Sequence, residues 1–154
     1  MSKPILYLAG GLFSAGEQLH NLYLERALKE LGYKILLPQR DAGGLSSTDV
    51  VCYCQQACIS PSVLLVGNTD GADADSGTAV EYGIAITITG RAVLYRTDFR
   101  TDEKNMENNV NIMFTIGRTR FVYCRASLTD LDQADEYYQT LAQHIDAAIK
   151  KIVG

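Results

Sequence analysis

Ser62 to Gly67 reads S-V-L-L-V-G, an apolar run with no polar alternation. A strand with one solvated face alternates apolar and polar residues, whereas a strand without alternation is buried on both faces, as in a parallel sheet covered by helices. The rest of the chain supplies such covering elements. Ile5 to Ala9 is predicted as a strand stopped by Gly10-Gly11, and Ser14 to Leu31 as a helix ended by Gly32. Leu19, Leu22, Leu24, Ala27, Leu28 and Leu31 would form the apolar face of that helix. Tyr33 to Leu37 is a second strand closed by Pro38, followed by a loop over Gln39 to Ser47 and a helix over Thr48 to Ile59. After Ser62 to Gly67, the pattern predicts a helix at Ser76 to Thr87 and a strand at Ala92 to Tyr95. Met106 to Ile116 is ambiguous and fits a short helix, Arg120 to Cys124 is a fifth strand, and Asp130 to Val153 is an amphipathic helix. Strand–helix alternation without repeats or linkers points to a doubly wound α/β sheet in one domain spanning residues 1–154. In such sheets ligands bind at the carboxyl ends of the strands. The loops of interest are therefore Gly10 to Ser14, Gln39 to Ser47, Asn68 to Gly77 and Arg96 to Asn109.

Composition narrows the partners. With 47% hydrophobic and 21% charged residues, the chain has an ordinary globular balance, and its net charge of −4 argues against nucleic acid, which needs a basic face. The segment I-L-Y-L-A-G after M-S-K-P is too short to span a bilayer, which takes roughly 20 apolar residues, or to act as an export signal. A cytoplasmic location without membrane attachment is expected, and Cys52, Cys54, Cys58 and Cys124 would then be reduced thiols. They lack paired C-x-x-C spacing, and His20 and His144 are isolated, so no metal site is expected.

The most informative stretch is N-T-D-G-A-D-A-D-S-G-T-A-V-E-Y-G, Asn68 to Gly83, directly after the third strand. It holds Asp70, Asp73, Asp75 and Glu81 and no basic residue. Asp75 suits the N-cap of the next helix, and Asp70-Gly71 suits turn chemistry. Glu81 is different, being the only charged residue from Gly77 through Gly90. A carboxylate on a helix so largely covered is either turned to solvent or held as a reactive group, since burial without partners is costly or raises its pKa. Two carboxylates near one pocket can cleave a glycosidic bond, one attacking the anomeric carbon while the other, protonated, assists the leaving group. A calcium loop fits poorly: Asp70 and Glu81 match positions 1 and 12, but the acids between fall at 4 and 6. In A-G-G-L-F-S, Ala9 to Ser14, neither G-x-G-x-x-G nor the Walker pattern is complete, so no nucleotide cofactor is expected. Those glycines would instead let a ligand approach the backbone.

Y-L-A-G-G-L-F-S, D-G-A-D-A-D-S-G-T-A-V-E-Y-G-I-A, R-T-D-F-R and V-N-I-M, in that order over roughly residues 5 to 125, resemble the nucleoside 2-deoxyribosyltransferase family. The resemblance implies a flavodoxin-like five-stranded parallel sheet and a retaining double displacement that needs no cofactor. It implies that Glu81 attacks C1′ of a 2′-deoxynucleoside, that Asp75 binds and protonates the departing base, and that Tyr7 orients the nucleophile. Substrate contacts would come from Gly10, Phe13, Asp70, Gly71, Ser76 and Gly77. Asn111 and Met113 would reach a neighbouring subunit's site, Asn111 touching the 5′-hydroxyl, which implies a homo-oligomer built from dimers. The partners implied are a nucleoside and a free nucleobase. Two departures stand out: A-G-G-L replaces the common A-G-P, and Cys54, beside Gln55 and Gln56, stands where members often carry Asp or Asn.

Two other functions share these residues. A hydrolase of nucleosides or nucleoside 5′-monophosphates would use the same glutamate, and Arg96 and Arg100 would suit a phosphate unless they are solvated loop charges. A nucleotide-binding module without catalysis is the other, because fold alone does not decide function.

Overall fold

The computed structural model describes residues 3–154. The first two residues of the M-S-K-P segment, read above for an export signal, lie outside that range. Five strands form one parallel sheet in the order β2-β1-β3-β4-β5: β1 Ile5–Ala9, β2 Lys34–Leu36, β3 Val63–Asn68, β4 Arg91–Arg96 and β5 Arg118–Tyr123. This is the flavodoxin-like order, which reverses between β1 and β3 and opens a crevice there at the carboxyl edge. The helices are α1 Ala15–Glu30, α2 Pro38–Asp41, α3 Ser47–Ile59, α4 Ser76–Thr89 and α5 Ala134–Val153.

Period-two alternation sorts the strand side chains into two cores. Leu6, Leu8, Leu64, Val66, Val93 and Tyr95 pack with Leu24 and Leu28 of α1 and Leu141, Ile145 and Ile149 of α5. Tyr7, Ala9, Leu65, Ala92 and Leu94 face the other way, onto Ala57 and Cys58 of α3 and Tyr82, Ala85 and Ile86 of α4. Tyr7 is thereby sent to the α3/α4 face with no exposed surface. The central strands are buried on both sides, as the unalternated S-V-L-L-V-G run requires.

Several elements differ from the sequence expectation, each for a local reason. Pro38 starts a short helix rather than closing a strand, because its fixed φ suits a first helical position and its missing N–H is not needed there. The helix expected to end at Thr87 continues to Thr89, where Gly90 takes a left-handed conformation (φ 69°). Met106 to Ile116 is not one helix but two 3₁₀ turns, Met106–Asn109 and Ile112–Thr115, the second capped by Asn111. A 3₁₀ turn at Leu131–Gln133 precedes α5, and β5 starts two residues earlier than expected, at Arg118. The expected face of α1 is also corrected. Leu19 and Leu22 are 56% and 45% exposed, and the inward stripe instead carries Asn21 and Glu25 beside Leu24, Ala27 and Leu28. Both polar residues are satisfied: Asn21 donates to the Gly11 carbonyl and to Gln39, and Glu25 pairs with Arg40 and Lys29.

Gly67, near the end of β3, leaves room for Leu94 on the neighbouring strand β4. A Cβ there would sit 2.8 Å from Leu94 Cδ2 and 3.7 Å from Thr78 Cγ2 in the first turn of α4. Gly67→Val is expected to overpack this contact and lower stability by about 1–3 kcal/mol, measured by urea denaturation.

Candidate active site

The carboxyl ends of β1 and β3 and the start of α4 converge at the crevice. Tyr7, pointing from β1 to the α4 side, donates its hydroxyl to Glu81 Oε1 at 2.7 Å. Glu81 lies in the second turn of α4 and is half-buried. Burial pushes its carboxyl above the ordinary value; the Tyr7 hydroxyl and the Cys54 thiol oppose the rise, and the Asp75 charge adds to it. Burial, followed by the Glu81 charge, drives the Tyr7 hydroxyl far above its usual range, so Tyr7 serves as a proton donor and not as a phenolate.

Asp75 caps α4. Its Oδ2 accepts from the Thr78 amide at 3.0 Å and from the Thr78 hydroxyl at 3.4 Å. The same residue lines a cleft of ≈ 390 Å³ together with Gly11, His20, Asn21, Asn68 and Asp73, with Glu17, Gly16 and Asp70 completing the lining. That volume is within the range of small-molecule sites, about 300–1,000 Å³. Four of its lining residues are acidic and none is Lys or Arg. His20 bridges Tyr138 Oη at 2.9 Å and Tyr95 Oη at 2.8 Å through its two ring nitrogens. Burial lowers the His20 pKa, against the opposing Asp70 charge, which favours a neutral ring.

A second set of bonds ties the loop after β3 to the loop after β4. Asp70 accepts from the Thr97 amide and hydroxyl, both at 2.6 Å, and from the Asp98 amide at 3.0 Å. Asp98 in turn accepts from the Gly71 amide at 2.6 Å and pairs with Arg96 Nε at 2.8 Å. Arg96 also donates to the Gly71 carbonyl at 2.5 Å. Burial alone would raise the Asp98 carboxyl; Arg96 and the amides of Gly71 and Arg100 outweigh it and hold the group below its usual range. Arg96 is thus 3% exposed and paired with Asp98 and the Gly71 carbonyl, contrary to its reading as a solvated loop charge. Arg100 is exposed and lies 3.5 Å from the same Asp98.

The other expected substrate residues divide by position. Gly10 abuts Asn68, and a Cβ on it would come 3.2 Å from the Asn68 Cβ. Gly71 adopts φ 100° inside the loop staple. Ser76 and Gly77 open α4 and are exposed, and Phe13 is 78% exposed. Asn111 lines a separate, smaller cleft of ≈ 160 Å³ with Asp73, Ala74, Ala79, Arg96 and Phe114. Its Oδ1 accepts from the Met113 amide at 3.0 Å, and Met113 is 63% exposed. Asn111 and Asp75 therefore line different clefts, on either side of the Asp73 turn. Sequence reasoning missed His20, whose partners are remote in the chain, and Asn68, which accepts from the Asp70 amide at 2.7 Å.

Glu81 carries a raised pKa, so the fold favours its neutral form. That contribution to stability is complete below the unfolded-state pKa and is lost as pH rises through the folded value. Glu81→Gln keeps an acceptor for Tyr7 without the charge. It is expected to raise stability at pH 8 by about 0.5–2 kcal/mol, with the gain shrinking towards pH 4, as read from urea midpoints across pH.

Comparisons with known proteins bear on the family and the fold. The family model described as nucleoside 2-deoxyribosyltransferase matches residues 6–113, well over half of the chain. Among solved structures, the fold is shared with a conserved protein from Enterococcus faecalis V583 at 22% identity and a TM-score of 0.58, covering 90% of this chain and 99% of that one. It is also shared with the 2-deoxyribosyltransferase from Bacillus psychrosaccharolyticus at 17% identity and a TM-score of 0.50, covering 88% of this chain and 94% of that one. No curated protein matches the chain. With the family match spanning β1 through the Asn111 turn, the chain belongs to the nucleoside 2-deoxyribosyltransferase family.

Proposed function

We propose that the protein transfers 2-deoxyribose between nucleobases through a covalent intermediate on Glu81. The observation that carries this reading is the Tyr7–Glu81 hydrogen bond of 2.7 Å, which fixes a half-buried carboxylate on the helix capped by Asp75, and Asp75 lines the acidic cleft. Glu81 attacks C1′ of the bound deoxynucleoside, the N-glycosidic bond breaks, and its electron pair leaves with the base. Asp75 delivers a proton to a base nitrogen, since a base is a poor leaving group unless protonated. Its cap bonds engage Oδ2, leaving Oδ1 for the ligand. A second base then attacks C1′ from the face the first one left, releasing Glu81 and returning a proton to Asp75, with net retention.

The charge distribution supports a free nucleoside over a nucleoside monophosphate. A phosphate in the cleft would meet Glu17, Asp70, Asp73 and Asp75, and Arg96 is engaged by Asp98 and Gly71. The separation of Asn111 from the Asp75 cleft supports the reading in which Asn111 and the exposed Met113 serve a neighbouring subunit of a homo-oligomer.

Incubation with deoxyinosine, with and without adenine, tests the reaction. Deoxyadenosine should form only when adenine is present, and Glu81→Ala should reduce its formation by ~10³-fold or more. Hypoxanthine release at a rate indifferent to adenine would identify a hydrolase instead. Because Glu81 attacks as the anion and its pKa is raised, kcat/KM should fall with acidification at a pH above the ordinary carboxylate range, measured as a pH–rate profile.

A further inference from the structure

We propose that Asn21 selects the nucleobase, its Oδ1 accepting a hydrogen bond from an exocyclic amino group, so that amino-substituted bases are favoured over their oxo counterparts. The inference rests on the reading in which Asp75 protonates the departing base. Asp75 lines the ≈ 390 Å³ cleft, and among the described residues that lining includes neither Glu81 nor Tyr7. With C1′ held at Glu81, the base attached to it extends past Asp75 into this cleft.

Asn21 is 6% exposed and lines the same cleft. Obligate acceptors fix the orientation of its amide. Gln39 Nε2 donates to the Gln18 carbonyl at 3.1 Å, which leaves Gln39 Oε1 as an acceptor. Asn21 Nδ2 donates to that Oε1 at 2.9 Å and to the Gly11 carbonyl at 3.0 Å, which uses both its protons. Exchanging the nitrogen and oxygen of Asn21 would set oxygen against oxygen at both contacts. Those bonds satisfy only the donor half of the amide, and among the described residues Oδ1 accepts no hydrogen bond. Nor is Oδ1 sealed from the cleft, because among the described residues the one sealed side-chain polar atom without a partner is Arg91 Nε. Gly10 keeps the approach clear, since a Cβ there would come 3.8 Å from Oδ1.

An acceptor this enclosed is costly to leave unmet, so it favours a ligand that brings a donor. Other acceptors on the cleft wall are already taken. Asp70 is bound by Thr97 and Asp98 through both oxygens, and Asn68 Oδ1 by the Asp70 amide. Adenine and cytosine carry amino donors at N6 and N4, where 6-oxopurines and thymine carry carbonyl oxygens. The amino group satisfies Oδ1, whereas a carbonyl would face it oxygen to oxygen.

Calorimetric titration with free bases tests this without turnover. Wild type should bind adenine about 10- to 100-fold more tightly than unsubstituted purine, which lacks the donor, or hypoxanthine, which replaces it with an acceptor. In Asn21→Ala, with folding checked by circular dichroism, the preference should collapse to within about threefold. In the transfer assay Asn21→Ala should lose the same factor in kcat/KM for adenine as acceptor. Wild type that binds the three bases alike, or binds none, would overturn the proposal whether or not the variant folds. A folded Asn21→Ala that keeps the wild-type preference would overturn it too. Discrimination at binding in a protein that transfers no deoxyribose would reject the transfer reading while leaving Asn21 as the selecting residue. Transfer with no discrimination at binding would reject the role of Asn21 and leave the transfer reading standing.

Discussion

The structure turns on keeping an ionisable carboxylate inside a packed helix–sheet interface. Glu81 sits on the helix whose neighbours Tyr82, Ala85 and Ile86 are core residues, and the bond from Tyr7 makes its position tolerable. That bond needs the alternation of β1, which sends Leu6 and Leu8 to the α1/α5 core and Tyr7 to the α3/α4 core. It also needs α4 to begin where it does after β3, which the Asp75 cap fixes. Strand pairing and helix capping thus act together to set a single oxygen–oxygen distance. Local preferences and the global fold agree here, as foldable sequences require.

The loops around that distance are held by polar bonds rather than apolar packing. Asp70, Thr97, Asp98, Arg96 and Gly71 form a closed set in which backbone amides, two carboxylates and a guanidinium satisfy one another. The result joins the carboxyl ends of β3 and β4 while leaving Asp73 and Asp75 turned to the clefts. It also pairs Arg96 with Asp98 and the Gly71 carbonyl, and the larger cleft is lined by acidic residues without Lys or Arg. An acidic, partly enclosed cleft repels a phosphate more than a neutral ligand. On the far wall, neutral His20 locks Tyr95 of β4 to Tyr138 of α5, joining the cleft to the opposite core.

Much of this was legible in the residues. The unalternated S-V-L-L-V-G run announced a buried parallel strand, and the isolation of Glu81 among uncharged neighbours singled out the half-buried carboxylate that the Tyr7 hydroxyl meets. What escaped the sequence reading depended on partners distant in the chain. Asn21 and Glu25 look like surface residues of α1 until Gly11, Gln39 and Arg40 arrive to satisfy them, so the helix face was misassigned towards Leu19 and Leu22. Arg96 reads as a loop cation until Asp98 and the Gly71 carbonyl close on it. His20 has no sequence signal at all, since its partners lie 75 and 118 residues away. The Met106 to Ile116 stretch lacks a periodic apolar face, and two short 3₁₀ turns, the second capped by the Asn111 side chain, are a natural outcome for such a segment.

The central claim is that Glu81 forms a bond to the sugar. Mass spectrometry of the protein after incubation with a 2′-fluoro-arabinosyl nucleoside tests it most directly, because fluorine at C2′ destabilises the oxocarbenium-like transition state for release and preserves the adduct. The account predicts one fluoropentosyl group per chain, on the peptide that contains Glu81, with adduct lost on addition of a free base. Base release with no adduct on that peptide, or an adduct on another residue, would contradict it.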